Sequence, residues 1–240
     1  MTQNHALFLG IDTATPWRSV GLVGEENRSA SIHWKATRDQ GRDLLPKIED
    51  FLHQEGVVPK DLEGIAVVAG PGSFTALRVG VSVAQGLGMG LEIPVVPVGS
   101  LEIYPPLLPL AETRATVLLP SRNGEVFVQT FQREGMEGWC AENVIRCLPV
   151  EAVARAIDSP GILIGSGIQS YRAEIGSLFG ETTRVGDERF QVPQGSTIAR
   201  VGRVKWLNNP EGFSADSVAM NYHQSHGALT IEERKGRQTQ

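Results

Sequence analysis

The chain has 240 residues, of which 41% are hydrophobic and 20% are charged, and its formal net charge is −5. This length suits one large domain or two compact lobes, and the composition is typical of a globular protein that needs no disulfide framework. An acidic chain without a basic stripe is not expected to bind RNA alone. The absence of a secretory leader or of about 18 consecutive apolar residues predicts a cytoplasmic protein that does not span a membrane.

The first half of the sequence predicts a sheet with helical crossovers. Short apolar segments separated by Gly and Asn predict three adjacent strands at residues 6–11, 19–23 and 29–35. The next apolar positions fall at i, i+1, i+4, i+7 and i+8 and predict a helix that starts near Asp43. These positions are Leu44, Leu45, Ile48, Phe51 and Leu52.

A second crossover follows in the same half. A buried-looking strand at residues 64–69 leads into a glycine turn at 70–73, a helix at 74–90 and a strand at 93–98. The order β-β-β-α-β-α-β predicts an α/β fold with a mixed sheet flanked by helices.

The second half begins after the Pro-rich residues 104–109, where the pattern changes. The pattern predicts strands at 115–120, 125–131 and 161–165 and helices at 150–157, 168–178 and 196–207. The predicted lobes are therefore residues 1–109 and 110–240, with a flexible tail from about residue 231.

A first motif, Gly10-Ile11-Asp12-Thr13-Ala14-Thr15, places an acidic residue at a strand end and hydroxyls in the turn that follows. Asp12 is suited to orient a metal-bound water, and Thr13 is suited to face a phosphate. The alternative is an ordinary Asx or Ser/Thr turn that closes a hairpin.

A second motif, Gly70-Pro71-Gly72-Ser73, leads into a helix N-terminus, where free amides and the helix dipole favour an anion. It is not a Walker loop, because no Gly-Lys-Ser/Thr follows. Simple capping of the helix by Ser73 is the alternative. The two motifs together make Asp12, Thr13, Gly70, Gly72 and Ser73 the candidate nucleotide-binding residues.

Small residues recur every fourth position of the predicted helix at 74–90. Ala76, Gly80, Ala84 and Gly88 lie on one face, and each glycine inside a helix costs roughly 1 kcal/mol relative to alanine. Close packing against a neighbour offsets such a cost. The pattern leaves open whether the neighbour belongs to this chain or to another.

Four segments carry a family resemblance: GIDTAT at residues 10–15, RDQGRDLLPKIEDFL at 38–52, GIAVVAGPGSFTALRVGVSVAQGLGMGLEIPVVPVGSLE at 64–102 and RNGEVFVQTF at 122–131. They resemble the bacterial TsaB (YeaZ) family, which supports threonylcarbamoyl transfer to the adenosine beside the anticodon of tRNA. The match is specific up to residue 131 and weak beyond it.

The resemblance implies an actin-like fold of two ribonuclease-H-like lobes and a heterodimer with the catalytic paralogue TsaD. It also implies contact with a TsaE-like ATPase and with tRNA only through that complex, and it leaves homodimerisation of the isolated chain open. The family docks through its first two helices, so the implied partner-binding residues are Leu44, Leu45, Ile48, Ala76, Gly80, Val83, Ala84 and Leu87.

Departures from the paralogue argue against catalysis by this chain. Ser100 and Tyr104 stand where the catalytic paralogue carries two metal-binding histidines, and neither neutral side chain is a good ligand for iron or zinc. Cys140 and Cys147 have no further Cys or His at metal spacing, so reduced thiols are expected. We therefore expect no catalytic residues, no metal, and no cofactor in the isolated chain, with ATP or ADP reserved for the assembled complex.

Smaller departures lie within the family pattern and within the nucleotide motif. Ala14 replaces the glycine that actin-like ATPases usually have, which adds a methyl group where a phosphate would approach. Gln40 replaces a common histidine, and residues 221–224 replace the usual Tyr-Leu-Arg.

Two other functions remain open on the sequence. An independent ATPase or glycopeptidase lacks support, because no Ser-His-Asp order or His-Glu-x-x-His helix is present. A relative of sugar or acetate kinases would need phosphate loops in both lobes, and Gly165-Ser166-Gly167 is the single candidate in the second. ATP turnover by the chain alone would distinguish these from a scaffold.

Overall fold

Two mixed β-sheets organise the chain in the computed structural model, which describes residues 7–15, 17–36, 41–122, 124–135, 138–157, 159–180, 183–190 and 192–220. The predicted tail from residue 231, Gln40 and residues 221–224 lie outside these ranges. No helix in the described part of the chain has the length and hydrophobicity needed to cross a bilayer.

The first sheet has five strands in the order β3-β2-β1-β4-β5. They are β1 (Leu7–Asp12), β2 (Trp17–Val23), β3 (Ser29–Lys35), β4 (Leu62–Gly70) and β5 (Val95–Gly99). The first three strands form an antiparallel meander, while β4 runs parallel to β1 and β5 parallel to β4. The three predicted meander strands and the two crossover strands are thus confirmed.

Two helices make the crossovers of the first sheet. Helix α1 (Leu44–Gln54) precedes β4, and α2 (Phe74–Leu91) joins β4 to β5. The apolar stripe of α1 buries Leu44, Ile48 and Phe51 in the same core cluster as the β1 residues Leu9 and Ile11. An 11-residue helix is only marginally stable on its own. Burial of such side chains contributes about 1.5–3 kcal/mol each and therefore supplies most of the stability of α1.

The second sheet has the strand order β11-β10-β6-β7-β8, with β9 also paired to β7. Its strands are β6 (Arg114–Pro120), β7 (Glu125–Glu134), β8 (Gly138–Ala141), β9 (Arg146–Pro149), β10 (Ile162–Ile164) and β11 (Arg184–Val185). The short helices here are α3 (Val153–Ala156), α4 (Gly167–Ser170) and α5 (Arg172–Phe179). The predicted helix at 168–178 is divided into α4 and α5, because Tyr171 leaves helical geometry with φ −130° and ψ 39°.

Helix α6 (Gly195–Asn208) belongs to the second half of the sequence but packs on the first sheet. Glycines allow this close approach: a Cβ atom added to Gly10 or Gly21 would overlap the backbone of α6 near Gly195 and Ser196. The Ser196 amide also donates a hydrogen bond to Ser31 Oγ at 2.9 Å. A division of the chain at residue 109 separates the two sheets, whereas α6, from the second half, packs mainly on the first sheet.

The connection between the sheets is itself part of the core. Leu101, Ile103 and Tyr104 are almost fully buried and share one hydrophobic cluster with strands of both sheets. Five 3-10 turns complete the described chain: Pro59–Asp61, Pro105–Leu107, Val150–Ala152, Glu188–Phe190 and Pro210–Gly212. The packed connection holds the loops that end β1, β4 and β5 against the second sheet, and a cavity lies between them.

Candidate functional site: the cavity between the sheets

Asp12 and Thr13 lie at the end of β1, and both point into the protein. Asp12 is 2% exposed and accepts a hydrogen bond from the Ala14 amide at 2.7 Å. Burial raises the pKa of Asp12 from 3.8 to about 6. Thr13 Oγ1 donates to the carbonyl oxygen of Ala76 in α2 at 2.6 Å. The Thr13 hydroxyl is therefore used to attach α2 to β1 and does not face a phosphate, contrary to the expectation from the motif.

The intersheet cavity, as we call it, has a volume of about 240 Å³. Residues from the first sheet that line it include Ala14, Thr15, Gly72 and Ser73, and the second half contributes Leu119, Pro120, Ser121, Phe127 and Ser166. Ligand sites commonly measure about 300–1,000 Å³. The cavity is therefore small for a nucleotide.

Of the five candidate nucleotide-binding residues, the structure brings two to the wall of this cavity, Gly72 and Ser73. Gly70 is buried, and its carbonyl oxygen accepts the Ser100 amide at 2.9 Å. Ala14 lies against Gly72, since a Cβ atom on Gly72 would be 3.2 Å from the Ala14 methyl carbon. The Ala14 methyl group thus occupies the space through which a phosphate would have to approach this turn.

Ser100 and Tyr104 occupy the region between the two sheets. Ser100 is 2% exposed and lines the intersheet cavity, and its hydroxyl has no hydrogen-bond partner among the described residues. Tyr104 is 1% exposed, and its phenol bonds to Ser166. Burial raises the pKa of Tyr104, so it stays neutral at physiological pH. In the described part of the chain, no three His, Cys, Asp or Glu side chains come together as a metal site.

Most of the predicted docking residues are buried within this chain. Leu44, Ile48 and Ala84 are between 0% and 2% exposed, and Ala76 is 9% exposed. Gly80 is also buried, and a Cβ atom there would overlap Thr13 Oγ1. These five residues are covered by the chain itself in this conformation, so they are not available to a partner. The small-residue face of α2 therefore has an intramolecular neighbour, which answers the question that the sequence left open.

The remaining three predicted docking residues reach the surface. Leu45 is 49% exposed, while Val83 and Leu87 are partly buried against the first core. Gly86 and Gly90 were not among the predicted docking residues, but both are exposed in α2, and an added Cβ at either would have no atom of the described chain within 4 Å beyond the helix backbone. Their helical spacing from Val83 was a signal that could have found them.

Comparison with known proteins decides the family. Residues 34–165 match the family model described as TsaD, tRNA N6-adenosine threonylcarbamoyltransferase. Over 191 residues the chain is 30% identical to the Escherichia coli tRNA threonylcarbamoyladenosine biosynthesis protein TsaB, and the alignment covers 75% of this chain and 79% of that protein. The chain belongs to the TsaB family.

The fold comparison agrees with this assignment. YeaZ from Pseudomonas aeruginosa superposes with a TM-score of 0.76 at 26% identity, covering 90% of this chain and 99% of that one. The predicted actin-like α/β fold, with two mixed sheets flanked by helices, is confirmed. As a TsaB-family member, the chain has a role in tRNA threonylcarbamoyladenosine biosynthesis.

A further relative connects the chain with the transferase family. It is 34% identical over 163 residues to the tRNA N6-adenosine threonylcarbamoyltransferase of Nitrosospira multiformis, covering 66% of this chain but 45% of that enzyme. The chain thus shares its TsaD-like region with a longer protein.

Proposed function

We propose that the chain is a non-catalytic scaffold and activator of the complex that transfers a threonylcarbamoyl group to the adenosine next to the anticodon of tRNA. In this proposal a TsaD-like catalytic paralogue is the direct partner. A TsaE-like ATPase and tRNA join through the complex, in the cytoplasm. The chain's own acidic net charge of −5 supports RNA contact through a partner.

One observation carries the docking part of the proposal, and it concerns the exposed side of α2. Val79, Val83, Gly86 and Gly90 follow one another at i, i+4, i+7 and i+11, so they lie along one side of the helix. We call them the exposed α2 row. The two valines are half-buried and the two glycines are exposed. Each glycine costs the helix roughly 1 kcal/mol relative to alanine.

Nothing in the described chain offsets that cost at the exposed α2 row. Gly80 and Gly88 are buried against this chain's own Thr13 and Val95, but an added Cβ at Gly86 or Gly90 would have no atom of the described chain within 4 Å beyond the backbone of α2 itself. Glycines on a helix surface allow a second helix to approach closely. Contact with a helix of another protein would therefore explain why glycine stands at these two positions.

Helix α1 extends the same surface. A Cβ atom on Gly41, just before α1, would lie 3.9 Å from Val79 Cγ2. Leu45 follows Gly41 by four residues and is 49% exposed. The segment that leads into α1 thus contacts the exposed α2 row, and Leu45 adds an exposed apolar side chain in the first turn of α1. We therefore include both helices in the proposed docking surface.

The non-catalytic part of the proposal rests on the intersheet cavity. Ser100 in the cavity wall, and the buried Tyr104 that bonds to Ser166 of that wall, offer neutral hydroxyls where the resemblance places histidine ligands. None of the described residues that line the cavity is charged. A buried cation would need charged or imidazole ligands there. The cavity is small for a nucleotide. This supports the proposal that a site for ATP or ADP forms only in the assembled complex.

Reconstitution tests the proposed function. The chain, a TsaD-like protein and a TsaE-like ATPase from the same bacterium would be combined singly and together with tRNA and a threonylcarbamoyl donor. Modified adenosine should form only when the chain and the TsaD-like protein are both present. Modification of tRNA or turnover of ATP by the chain alone would contradict a scaffold and favour an independent enzyme.

A further inference from the structure

A groove lies where the C-terminal end of α2 meets the segment that follows α6. Its volume of about 440 Å³ falls within the range of about 300–1,000 Å³ that is common for ligand sites. We call this feature the end groove. It shares no described lining residue with the intersheet cavity. Gly88, Met89 and Glu92 line it on the α2 side, and Trp206, Glu211 and Phe213 line it on the other.

The floor of the end groove is apolar and held in place. The Trp206 ring packs on the buried Phe8 of β1, with 5.4 Å between the ring centroids, and Phe213 packs on the same small core cluster. Met89 leaves an apolar side chain that is 63% exposed at the edge of the groove. A fixed aromatic surface beside an adaptable methionine offers contact area to a partner's side chain.

The charged side chains at the end groove are acidic. Glu92 and Glu211 line it and are exposed, and neither forms an ion pair with a described residue. Asp216 lies close by, because its carboxylate accepts a hydrogen bond from the hydroxyl of Ser214 in the groove wall. Lys and Arg are absent from the described lining. The groove therefore has a negative potential, which attracts a cation.

The end of α2 adds to this negative potential. The amides of Glu92 and Ile93 both donate to the Gly88 carbonyl oxygen, the second at 3.0 Å. The carbonyl oxygens of residues 89–91 accept no backbone hydrogen bond from the described chain, and the last turn holds no basic side chain. A helix C-terminus of this kind carries a partial negative charge and favours a cation near it.

The occupant that these features select is an organic cation with a flat charged group. A bare metal ion is not supported, because the described residues bring no three His, Cys, Asp or Glu side chains together as ligands. A guanidinium group stacks on an aromatic ring and pairs with carboxylates at its edge, whereas an ammonium group is a compact, strongly hydrated charge. The aliphatic stem of arginine also packs on apolar side chains such as Met89. Arginine therefore matches both the floor and the rim of the end groove.

The end groove continues the proposed docking surface. Met89 follows Gly86 by three residues and precedes Gly90, and both glycines belong to the exposed α2 row. Residues three apart in a helix are neighbours on its surface. A partner helix that lies along the exposed α2 row therefore brings its neighbouring side chains to the end groove.

We propose that an arginine side chain of the TsaD-like partner occupies the end groove, where its guanidinium stacks on Trp206 and pairs with Glu92 and Glu211. This inference rests on the docking through α1 and α2 proposed above, and it adds the chemistry that the partner presents there. Ion pairs between complementary surfaces contribute to specificity and to the rate of association, and they weaken as salt is added.

Titration calorimetry of the full chain with the TsaD-like protein from the same bacterium tests the proposal. Glu92→Gln combined with Glu211→Gln should weaken binding about 10-fold at low ionic strength, and the difference should narrow at high salt. Glu26→Gln combined with Glu151→Gln is the matched control, removes the same net charge and should bind as the wild type does. Glu26 is exposed and has a positive φ, as Glu92 has. Glu151 is exposed in a 3-10 turn, as Glu211 is.

Each outcome decides the proposal. The four substitutions remove exposed carboxylates that form no ion pair within the described chain, so both double variants should keep the wild-type thermal midpoint. Unchanged affinity after the substitutions at Glu92 and Glu211, or equal weakening of both double variants, would overturn the arginine contact. Tighter binding after Arg234→Gln, Lys235→Gln and Arg237→Gln would assign the groove to the chain's own basic C-terminal segment instead. A wild-type chain that does not bind the TsaD-like protein would contradict the docking proposal itself, so the two failures are distinguishable.

Discussion

Substituting alanine at Gly80 and at Gly86 should change stability in opposite directions, although both glycines lie in α2. A methyl group on Gly80 would overlap Thr13 Oγ1, which is buried and bonded to the Ala76 carbonyl oxygen at 2.6 Å. Gly86 has no atom within 4 Å of an added Cβ. The two sites therefore share the gain in helix propensity and differ in packing.

The magnitudes follow from these contacts. Each Gly→Ala change gains about 1 kcal/mol of helix propensity. At Gly80 this gain is opposed by overpacking, which costs about 1–3 kcal/mol, and by separation of the buried Thr13 hydroxyl from its acceptor, which costs about 1–3 kcal/mol. Gly80→Ala should thus destabilise the fold by about 3 kcal/mol, whereas Gly86→Ala should stabilise it by about 1 kcal/mol.

Urea unfolding followed by circular dichroism measures both effects. The midpoint should fall for Gly80→Ala and rise for Gly86→Ala. Thr13→Ala removes the overlapping oxygen, so the double variant with Gly80→Ala should lose at least about 1 kcal/mol less than the sum of the single variants. A midpoint that rises at Gly80 as it does at Gly86 would refute the close packing of α2 on β1.

Two further predictions concern charged groups in the first half of the chain. Asp43→Ala should destabilise the fold by about 3 kcal/mol in thermal or urea unfolding. The substitution removes a carboxylate that lies 2.7 Å from the guanidinium of the buried Arg18 and that accepts the Trp34 indole N–H. A loss below about 0.5 kcal/mol would show that solvent screens this ion pair as it does at a protein surface. The raised pKa of Asp12, about 6 in the fold against 3.8, means that the folded state binds a proton more tightly than the unfolded chain between these values. The unfolding free energy of the wild type relative to Asp12→Asn should therefore fall by about 2 kcal/mol as pH rises from about 4 to about 7, and a difference that stays constant with pH would contradict this.

The sequence was sufficient for the elements with long, clear periodicity. Helix α2 was predicted at 74–90 and is Phe74–Leu91, and the meander strands follow the predicted segments closely. The short strands β8, β9 and β11, of two to four residues, escaped prediction because such lengths give no measurable alternation. The position of α6 on the first sheet also escaped, since it depends on glycines in distant strands.

The candidate site was predicted less well than the fold, for a physical reason. Spacing showed that Ala76, Gly80 and Ala84 share a face of a helix, but it could not show whether the chain's own β1 or a partner covers that face. Thr13 decides it, because its hydroxyl bonds to α2 across 63 residues of sequence. Because of this contact Thr13 has a structural role, although the motif in which it lies is typical of phosphate binding.

The same geometry changes how the docking proposal must be tested. Gly80→Leu would disrupt the chain's own core, so loss of a partner after that substitution would not distinguish docking from folding. The exposed α2 row offers a cleaner site. Gly86 and Gly176, in α5, are both exposed helical glycines with open space around an added Cβ. Arginine at either position should improve helix propensity and leave the chain folded.

The affinity of the two arginine variants for the TsaD-like partner, measured by titration calorimetry, tests the central claim most directly. Gly86→Arg places a charged side chain in the exposed α2 row and should weaken binding at least about 100-fold, or about 2.7 kcal/mol. Gly176→Arg should bind with the affinity of the wild type. Equal affinity of both variants would contradict docking through α1 and α2.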